Sequence, residues 1–362
     1  MLKHSPDFSK TAAQDLAVCR DLIRQGSRSF HAASLLLPQS VRDPSYALYA
    51  FCRLSDDAVD SGDTRSDAIE HLRLRLDRAY AGRPMPASVD RAFAGMVTRF
   101  AMPKALPEAL IDGLAWDTEG RRYQTLSDLK SYGARVAGSV GAMMTVLMGV
   151  RETDTLARAC DLGVAMQLTN IARDVGEDAR NGRIYLPIDW LEEAGIDPER
   201  FLSEPSFNPR LAEVVARLLR EAERLYDRAL EGIAGLPFDC RPAIHAARLI
   251  YREIGREVER RGYNSVNARA VVPGRRKAML LGAAAIASVP AVPQRGAPPL
   301  DETAFLVAAV PPLAPPSHHA LNQPAWQDID GRIGRILEIF ERLERRDRVG
   351  YAADTPQPSA AE

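Results

Sequence analysis

Apolar residues recur at three- and four-residue steps through most of the chain, which is the period of an amphipathic α-helix. In the stretch RLAEVVARLLREAERLYDRALEGIAG the apolar positions are Leu211, Val214, Val215, Leu218, Leu219 and Ala222. Glycine and proline break the pattern where helices end, as at Gly82 and at Asn181-Gly182. The sequence has neither a run of alternating strands nor a fixed repeat. We therefore predict an all-α protein.

The pattern changes near residue 290. Nine of the 25 prolines fall between Pro290 and Pro324, and such a segment cannot continue a helix. We predict a domain over 1–289, an extended proline-rich linker over 290–325, an amphipathic helix over 326–348 and a disordered tail over 349–362. The predicted helix would either dock on the body or bind an interface or a partner.

Composition excludes several classes of protein. Apolar residues make up 46% of the chain and charged residues 26%, with a formal net charge of −1, so no nucleic-acid partner is expected. Four cysteines without a CxxC pair argue against a zinc site or a disulfide framework. The N-terminus lacks the apolar core of a secretory signal. The longest apolar run, from Ala278 to Pro290, is shorter than the roughly 20 residues that a membrane span requires.

Two apolar helical segments each carry acids at regular spacing. In QLTNIARDVGED, the residues Asn170, Asp174 and Asp178 are four apart, so they share one helix face with Gln167. The segment YALYAFCRLSDDAVD repeats this arrangement with the acids at positions 56, 57 and 60. Two independent charged helix ends would also give such a pattern.

If the two segments face each other, their five aspartates concentrate negative charge, which raises the pKa of each carboxyl and destabilises the fold. A cation should then occupy the space between them. Oxygen ligands without His or Cys favour a hard ion, Mg²⁺ or Mn²⁺. Since Mg²⁺ is usually held by one or two carboxylates plus substrate phosphates, the motifs predict a phosphate-bearing substrate.

The chain resembles the squalene/phytoene synthases, and within them the bacterial phytoene synthases of carotenoid pathways. The matching motifs run in the expected order from about Ser27 to Lys277: GSRSFHAASLLLP, ALYAFCRLSDDAVD, YGARVAGSVG, QLTNIARDVGEDARNGRIYLP and RLIYREI…GYNSVNARAVVPGRRK. The resemblance implies the isoprenoid synthase fold, a single helical bundle around a central apolar cavity. It also implies head-to-head condensation of two prenyl diphosphates through a cyclopropyl intermediate.

The resemblance implies roles for individual residues. The metal ligands would be Asp56, Asp57, Asp60, Asn170, Asp174 and Asp178. The catalytic residues would be Asp56, Asp60, Asp174, Asp178, Tyr49 and Arg53. The substrate would contact Ser27, Ser29, Phe30, Tyr49, Arg53, Tyr132, Val136, Gly138, Gln167, Asn170, Arg173, Arg183, Tyr251 and Lys277.

Simpler interpretations remain for some of these residues. Each aromatic residue could be ordinary core packing, and the run Arg275, Arg276, Lys277 could be a solvated surface. Gly133 and Ala134 replace the Cys and Tyr of the family's usual YCYxVAG motif, which alters the expected pocket shape beside Tyr132.

The expected reaction is phytoene formation from two geranylgeranyl diphosphates, with Mg²⁺ or Mn²⁺ and without NADPH. One alternative is squalene or dehydrosqualene synthesis from farnesyl diphosphate. Another is a non-catalytic relative that acts as an assembly or binding factor, although such a protein should have lost its acids. Because the product is wholly apolar, we expect a cytoplasmic protein loosely attached to the inner membrane, in contact with downstream carotenoid enzymes.

Overall fold

The computed structural model describes residues 8–60, 65–287 and 297–312, with the side chains of residues 8–11, 28–29, 59–60, 65–66 and 285–287 outside the description. The predicted helix over 326–348 and the predicted tail over 349–362 lie outside the described residues.

All regular elements of the described residues are helical, which confirms the all-α prediction. The α-helices are α1 (Phe8–Gly26), α2 (Arg28–Ser34), α3 (Gln39–Asp60), α4 (Arg65–Tyr80), α5 (Ser88–Arg99), α6 (Ala105–Thr118), α7 (Leu126–Gly133), α8 (Ser139–Leu147), α9 (Thr153–Arg180), α10 (Ile188–Glu193), α11 (Pro198–Ser203), α12 (Pro209–Ile233), α13 (Arg241–Arg260), α14 (Gly274–Ala287) and α15 (Ala304–Ala308). A π-helical turn, Ala134–Gly138, joins α7 to α8.

Helix ends follow from local sequence. Asn208 begins α12 by accepting a hydrogen bond from the Leu211 amide, with Pro209 in the first turn. Thr125 and Asp128 form a reciprocal capping box at the start of α7. The predicted stripe of α12, from Leu211 to Ala222, is buried in the main core.

Helix α9 is the longest described helix, with 28 residues, and it packs against α7, α8, α12 and α13. Small residues let its neighbours approach. A Cβ atom at Gly163 would overlap the carbonyl of Ala137, and a Cβ at Gly141 would overlap the carbonyl of Ala159. The π-helical turn and α8 therefore lie directly against the backbone of α9.

The predicted extended linker is wrong over residues 297–312. This segment returns to the body and contains α15. Leu306 is fully buried beside Gly138, and Glu302 accepts a hydrogen bond from the Ser127 hydroxyl. The prolines at 298 and 299 precede the sequence DETAFLVAAV, which has enough apolar residues to dock as a single turn of helix. The rest of the predicted linker, apart from residues 297–312, lies outside the described residues.

No helix in the described ranges has both the length and the hydrophobicity that crossing a bilayer would require.

Candidate active site

An apolar cavity of about 330 Å³ runs along one face of α9. The lining residues of α9 recur at three- and four-residue steps: Thr155, Arg158, Ala159, Leu162, Gly163, Met166, Gln167 and Asn170. At a rise of about 1.5 Å per residue, this face is about 22 Å long. The size and the largely apolar lining are typical of small-molecule binding sites.

The two acidic helices share this cavity. From α3 the lining includes Tyr49 and Cys52, one to two turns before the first acidic motif. From α9 it includes Gln167 and Asn170, which open the second motif. The polar end of the cavity thus lies beside both motifs, whereas its other end is formed by the first turns of α9 and the last turn of α12.

Three aromatic side chains meet at the polar end. The ring of Phe30 lies 5.2 Å from that of Tyr251 and 6.4 Å from that of Tyr49, measured between centroids. All three residues line the cavity. Burial is the main cause that raises the pKa of the Tyr251 hydroxyl to about 12, so it stays protonated at neutral pH.

Two polar side chains of the second motif are buried in surroundings that do not fully satisfy their hydrogen bonding or their charge. The side-chain oxygen of Asn170 is buried and has no hydrogen-bond partner among the described residues. Burial, followed by the charge of Asp174, raises the pKa of the Asp178 carboxyl to about 7. Both features suit a site that gains a cation, because a cation would satisfy the amide oxygen and lower the pKa of the carboxyl.

The Asp174 carboxylate is bound by two guanidinium groups. Arg173 Nε lies 2.8 Å from Oδ1, and Arg269 Nε also lies 2.8 Å from Oδ1. Arg269 Nη1 also lies 3.7 Å from Glu177, so carboxylates of this helix balance both arginines. Guanidinium groups of this kind can bind an anion such as a diphosphate.

The acids of the first motif pair within their own helix. Arg53 Nη2 lies 2.7 Å from Asp57 and its Nη1 lies 3.6 Å from Asp56, with all three side chains about half exposed. Asp60 is the last residue of α3, but its side chain is outside the description, as is that of Ser29.

The α9 donors fit a hard divalent cation, given the unpartnered oxygen of Asn170 and the raised pKa of Asp178. Within the described residues, however, no three His, Cys, Asp or Glu side chains are grouped closely enough to hold a metal ion. The described carboxylates of the two motifs therefore flank one cavity without forming a single cluster.

Of the predicted substrate-contact residues, six line the cavity: Phe30, Tyr49, Val136, Gln167, Asn170 and Tyr251. Two other predicted residues, Ser27 and Gly138, make contacts within the fold instead. Ser27 caps α2 by accepting a hydrogen bond from the Phe30 amide. Gly138 packs against Leu306 rather than lining the cavity.

The remaining predicted contacts lie around the polar end or beyond it. Tyr132 is buried and donates to Asp117 at 2.8 Å. The positive charge of Arg183 opposes the rise in the pKa of Asp178, so this arginine belongs to the acidic end. Lys277 lies in the first turn of α14 and is not among the residues that line the cavity.

Sequence reasoning missed three charged residues. Asp117 accepts hydrogen bonds from Tyr132 and Tyr185, both at 2.8 Å, and helps to raise the pKa of Asp178. Arg269 binds Asp174 from a loop, and Arg158 lies at the far end of the cavity. Arg269 falls inside the matched GYNSVNARAVVPGRRK stretch, but nothing in the sequence pairs it with Asp174. Arg158 lies between two alanines and Asp117 follows a tryptophan, but this local sequence does not distinguish either residue from a surface charge.

Comparison with known proteins identifies relatives of this chain. The family model for squalene/phytoene synthase matches residues 23–276. A phytoene synthase of Rhodobacter capsulatus is 55% identical over 351 residues, covering 95% of this chain and 99% of that protein. A phytoene synthase of Cereibacter sphaeroides is 51% identical over 352 residues, covering 93% and 96%. Among solved structures, a dehydrosqualene synthase in complex with ligand has a TM-score of 0.72 and 33% identity, covering 77% of this chain and 98% of that one.

Proposed function

Because the chain belongs to the squalene/phytoene synthase family, we propose that it is a phytoene synthase, a prenyltransferase that joins two geranylgeranyl diphosphates head to head in carotenoid biosynthesis. The first condensation forms a cyclopropyl diphosphate and releases one diphosphate and a proton. The second step releases the other diphosphate, rearranges the carbon skeleton and loses a proton.

One observation carries this proposal: a largely apolar cavity about 22 Å long has both acidic motifs beside one of its ends. Such a space matches an amphiphile with a long hydrocarbon chain and a charged head. Gln167 and Asn170 lie where the head would be, and Leu162 and Met166 lie along the chain.

The head group would be held by Asn170, Asp174 and Asp178 together with a divalent cation, Mg²⁺ or Mn²⁺. When bound, that cation would neutralise charge on the leaving diphosphate. Arg173 and Arg269 supply further positive charge on the same face. On the opposite wall, Asp56, Asp57 and Asp60 of α3 would hold divalent cations, and Arg53 would contact the diphosphate.

The aromatic group at the polar end stabilises the cationic carbon that diphosphate departure produces. The faces of Phe30, Tyr49 and Tyr251 present negative charge density to a cation within about 6 Å of a ring centroid. The apolar lining keeps water away, so that the cation is not quenched by hydration.

The test is incubation of the purified protein with geranylgeranyl diphosphate, with and without Mg²⁺, followed by mass analysis of the product. We expect a forty-carbon hydrocarbon that requires the metal. A thirty-carbon product from farnesyl diphosphate, with no forty-carbon product, would refute the proposal in favour of squalene or dehydrosqualene synthesis. No turnover of either substrate would favour the non-catalytic alternative.

Since the product is wholly apolar, we also propose that the protein works at the cytoplasmic face of the inner membrane, where downstream carotenoid enzymes would take up phytoene. The chemistry of the substrate and product supports this part of the proposal.

A further inference from the structure

The end of α13 and the start of α14 carry arginines that gather around one buried acid. The Glu253 carboxylate of α13 is 1% exposed. Arg260 Nη2 lies 2.9 Å from it, Arg276 Nε lies 3.0 Å from it, and Arg256 Nη1 lies 3.8 Å from it. All three arginine side chains are about half exposed. A single buried negative charge therefore holds three cations at the protein surface.

The surrounding segment has an excess of positive charge. From Glu253 to Lys277 the sequence has seven basic residues and three acidic ones. One of the seven, Arg269, is paired with Asp174 of α9, which leaves six basic residues against three acids. The next acid in the chain is Asp301. Since the whole chain has a formal net charge of −1, this positive charge is a local concentration that attracts anions.

Two exposed apolar side chains accompany the arginines. Val271 is 60% exposed and Met279 is 61% exposed, the highest values among the large apolar side chains of the described residues. Val271 precedes Arg275 by four residues, and Met279 follows it by four. Arg275, Met279 and Ala283 share the exposed face of α14, whereas Leu281 on the other face is buried. We define the α13–α14 surface as Arg256, Arg260, Val271, Arg275, Arg276 and Met279.

This surface is carried by elements that border the polar end of the cavity. Phe30 of α2 lines the cavity and is 36% exposed, so the cavity reaches the protein surface there. Helix α2 packs with α13 and α14 in a small apolar cluster that is separate from the main core. Glu253, around which the arginines gather, lies two residues after Tyr251, whose ring contacts Phe30. The mouth of the cavity and the α13–α14 surface thus belong to neighbouring helices.

We propose that the α13–α14 surface docks the protein on the anionic headgroups of a lipid bilayer. Guanidinium groups bind phosphate oxygens through paired hydrogen bonds, and each basic residue near an anionic membrane adds about fivefold to the affinity. Val271 and Met279 would enter the interface between headgroups and acyl chains. Apolar side chains among arginines favour lipid over nucleic acid, which offers no apolar layer.

The inference rests on the proposed function, because a wholly apolar product needs a lipid phase. It adds a binding surface within the body of the protein to the predicted helix over 326–348. It also places the mouth of the cavity beside the bilayer, where the substrate can enter and the hydrocarbon product can leave.

The experiment measures binding of the full chain to lipid vesicles by co-sedimentation, across a salt series and without substrate. The vesicles contain phosphatidylcholine alone or phosphatidylcholine mixed with phosphatidylglycerol. One variant combines Arg256→Gln with Arg275→Gln, which leaves Arg260 and Arg276 to pair with Glu253. The other variant is Met279→Ser. The predicted helix over 326–348 is present in every protein and contributes equally to each.

Each variant has a matched control at exposed positions of other elements. Arg20→Gln combined with Arg83→Gln removes the same two charges, from α1 and from the turn after α4. Leu74→Ser on α4 removes an exposed apolar side chain, as Met279→Ser does. Helical circular dichroism checks that every protein is folded.

We expect the wild type to prefer the phosphatidylglycerol vesicles, and this preference should decline as salt screens the exposed charges. The Arg256 and Arg275 double variant should bind these vesicles at least about tenfold less tightly, with unchanged affinity for phosphatidylcholine. Met279→Ser should weaken binding to both kinds of vesicle at least about threefold, because less apolar surface is buried. Both controls should stay within about twofold of the wild type.

Wild-type affinity in the folded surface variants would overturn the inference, and so would an equal loss in the double variant and its control. If the double variant loses its helical circular dichroism, Met279→Ser decides. The proposed function is judged separately, on the product of the wild-type protein. A wild type that binds as expected but makes no forty-carbon product refutes only the function, whereas a wild type that makes it while the variants bind normally refutes only the docking surface.

Discussion

At the scale of single residues, Asn170 is the most informative position. Its side-chain oxygen is buried without a partner among the described residues, at the polar end of the cavity. An unpaired buried amide oxygen costs about 1–3 kcal/mol, a cost that a bound cation would remove.

Asn170→Ala should therefore lower kcat/KM for geranylgeranyl diphosphate at least about 100-fold, since a metal ligand is lost. It should also raise the Mg²⁺ concentration needed for half-maximal activity, without lowering the thermal midpoint. Steady-state kinetics across a Mg²⁺ series and thermal melting would measure both. Glu213→Gln, which changes an exposed acid of α12, is the control. If Asn170→Ala needs the same Mg²⁺ concentration as the wild type, Asn170 is not a metal ligand.

His245 gives a residue-scale prediction about pH. It is buried on α13, and burial, followed by the charges of Arg248 and Arg241, lowers its pKa from 6.5 to about 4. The folded protein therefore binds this proton less readily than the unfolded chain. The resulting contribution to the free energy of unfolding is complete above pH 6.5, declines as the pH falls from 6.5 towards 4, and amounts to at most about 3 kcal/mol.

His245→Gln should consequently lose less stability than the wild type between pH 7 and pH 4.5. Urea unfolding at both pH values would measure this difference. His71→Gln, at an exposed position of α4, should keep the wild-type pH dependence. Equal pH dependence in His245→Gln and the wild type would show that His245 is protonated equally easily in both states.

At the scale of elements, the contact between α9 and the π-helical turn depends on glycine. A Cβ at Gly163 would overlap the Ala137 carbonyl, which is backbone and cannot rotate away. Since Ala137 and Gly163 both line the cavity, this contact also shapes the wall of the site.

Gly163→Ala should thus destabilise the protein by about 1–3 kcal/mol, because the added methyl group forces the two elements apart. Gly95→Ala is a matched control with the opposite expected sign. Gly95 is exposed within α5 with nothing within 4 Å of its Cβ position, so alanine there should stabilise the helix by about 0.5–1 kcal/mol. Thermal or urea unfolding would measure the stability of both variants. Equal changes in Gly163→Ala and Gly95→Ala would contradict the close approach of α9 to the Ala137 carbonyl.

At the scale of the whole molecule, the two acidic helices lie beside one end of the cavity, and the 297–312 segment contacts Arg158 at the other through the Pro298 carbonyl. The acids of α3 and α9 lie beside one end, and Arg158, paired with the buried Asp161, lies at the other. Asn170 and Arg158 are separated along α9 by about 18 Å.

We predict that the helix over 326–348 attaches the whole molecule to a membrane. We expect deletion of residues 325–362 to reduce co-sedimentation with vesicles of inner-membrane lipid composition several-fold, because an amphipathic helix buries its apolar face at the interface. The same deletion should leave the helical circular dichroism of the body intact. Unchanged sedimentation of the truncated protein would exclude this helix as the anchor.

The sequence by itself determined the helical class, the two acidic motifs and the family. Each of these depends on local spacing or on matched motifs, which need no knowledge of how helices pack. The apolar period of α12 and the four-residue steps through Asn170, Asp174 and Asp178 are visible without coordinates.

Only the tertiary structure decided which charged residues share a space. The pairing of Arg269 with Asp174, the tyrosines around Asp117, and the packing of Arg158 against Gly232 all join residues far apart in the chain. The docking of residues 297–312 was hidden for the same reason: proline-rich composition predicts an extended chain, whereas the burial of Leu306 depends on a surface that α9 and the π-helical turn create together. Long-range packing of this kind depends on complementary shape and charge, which local periodicity does not encode.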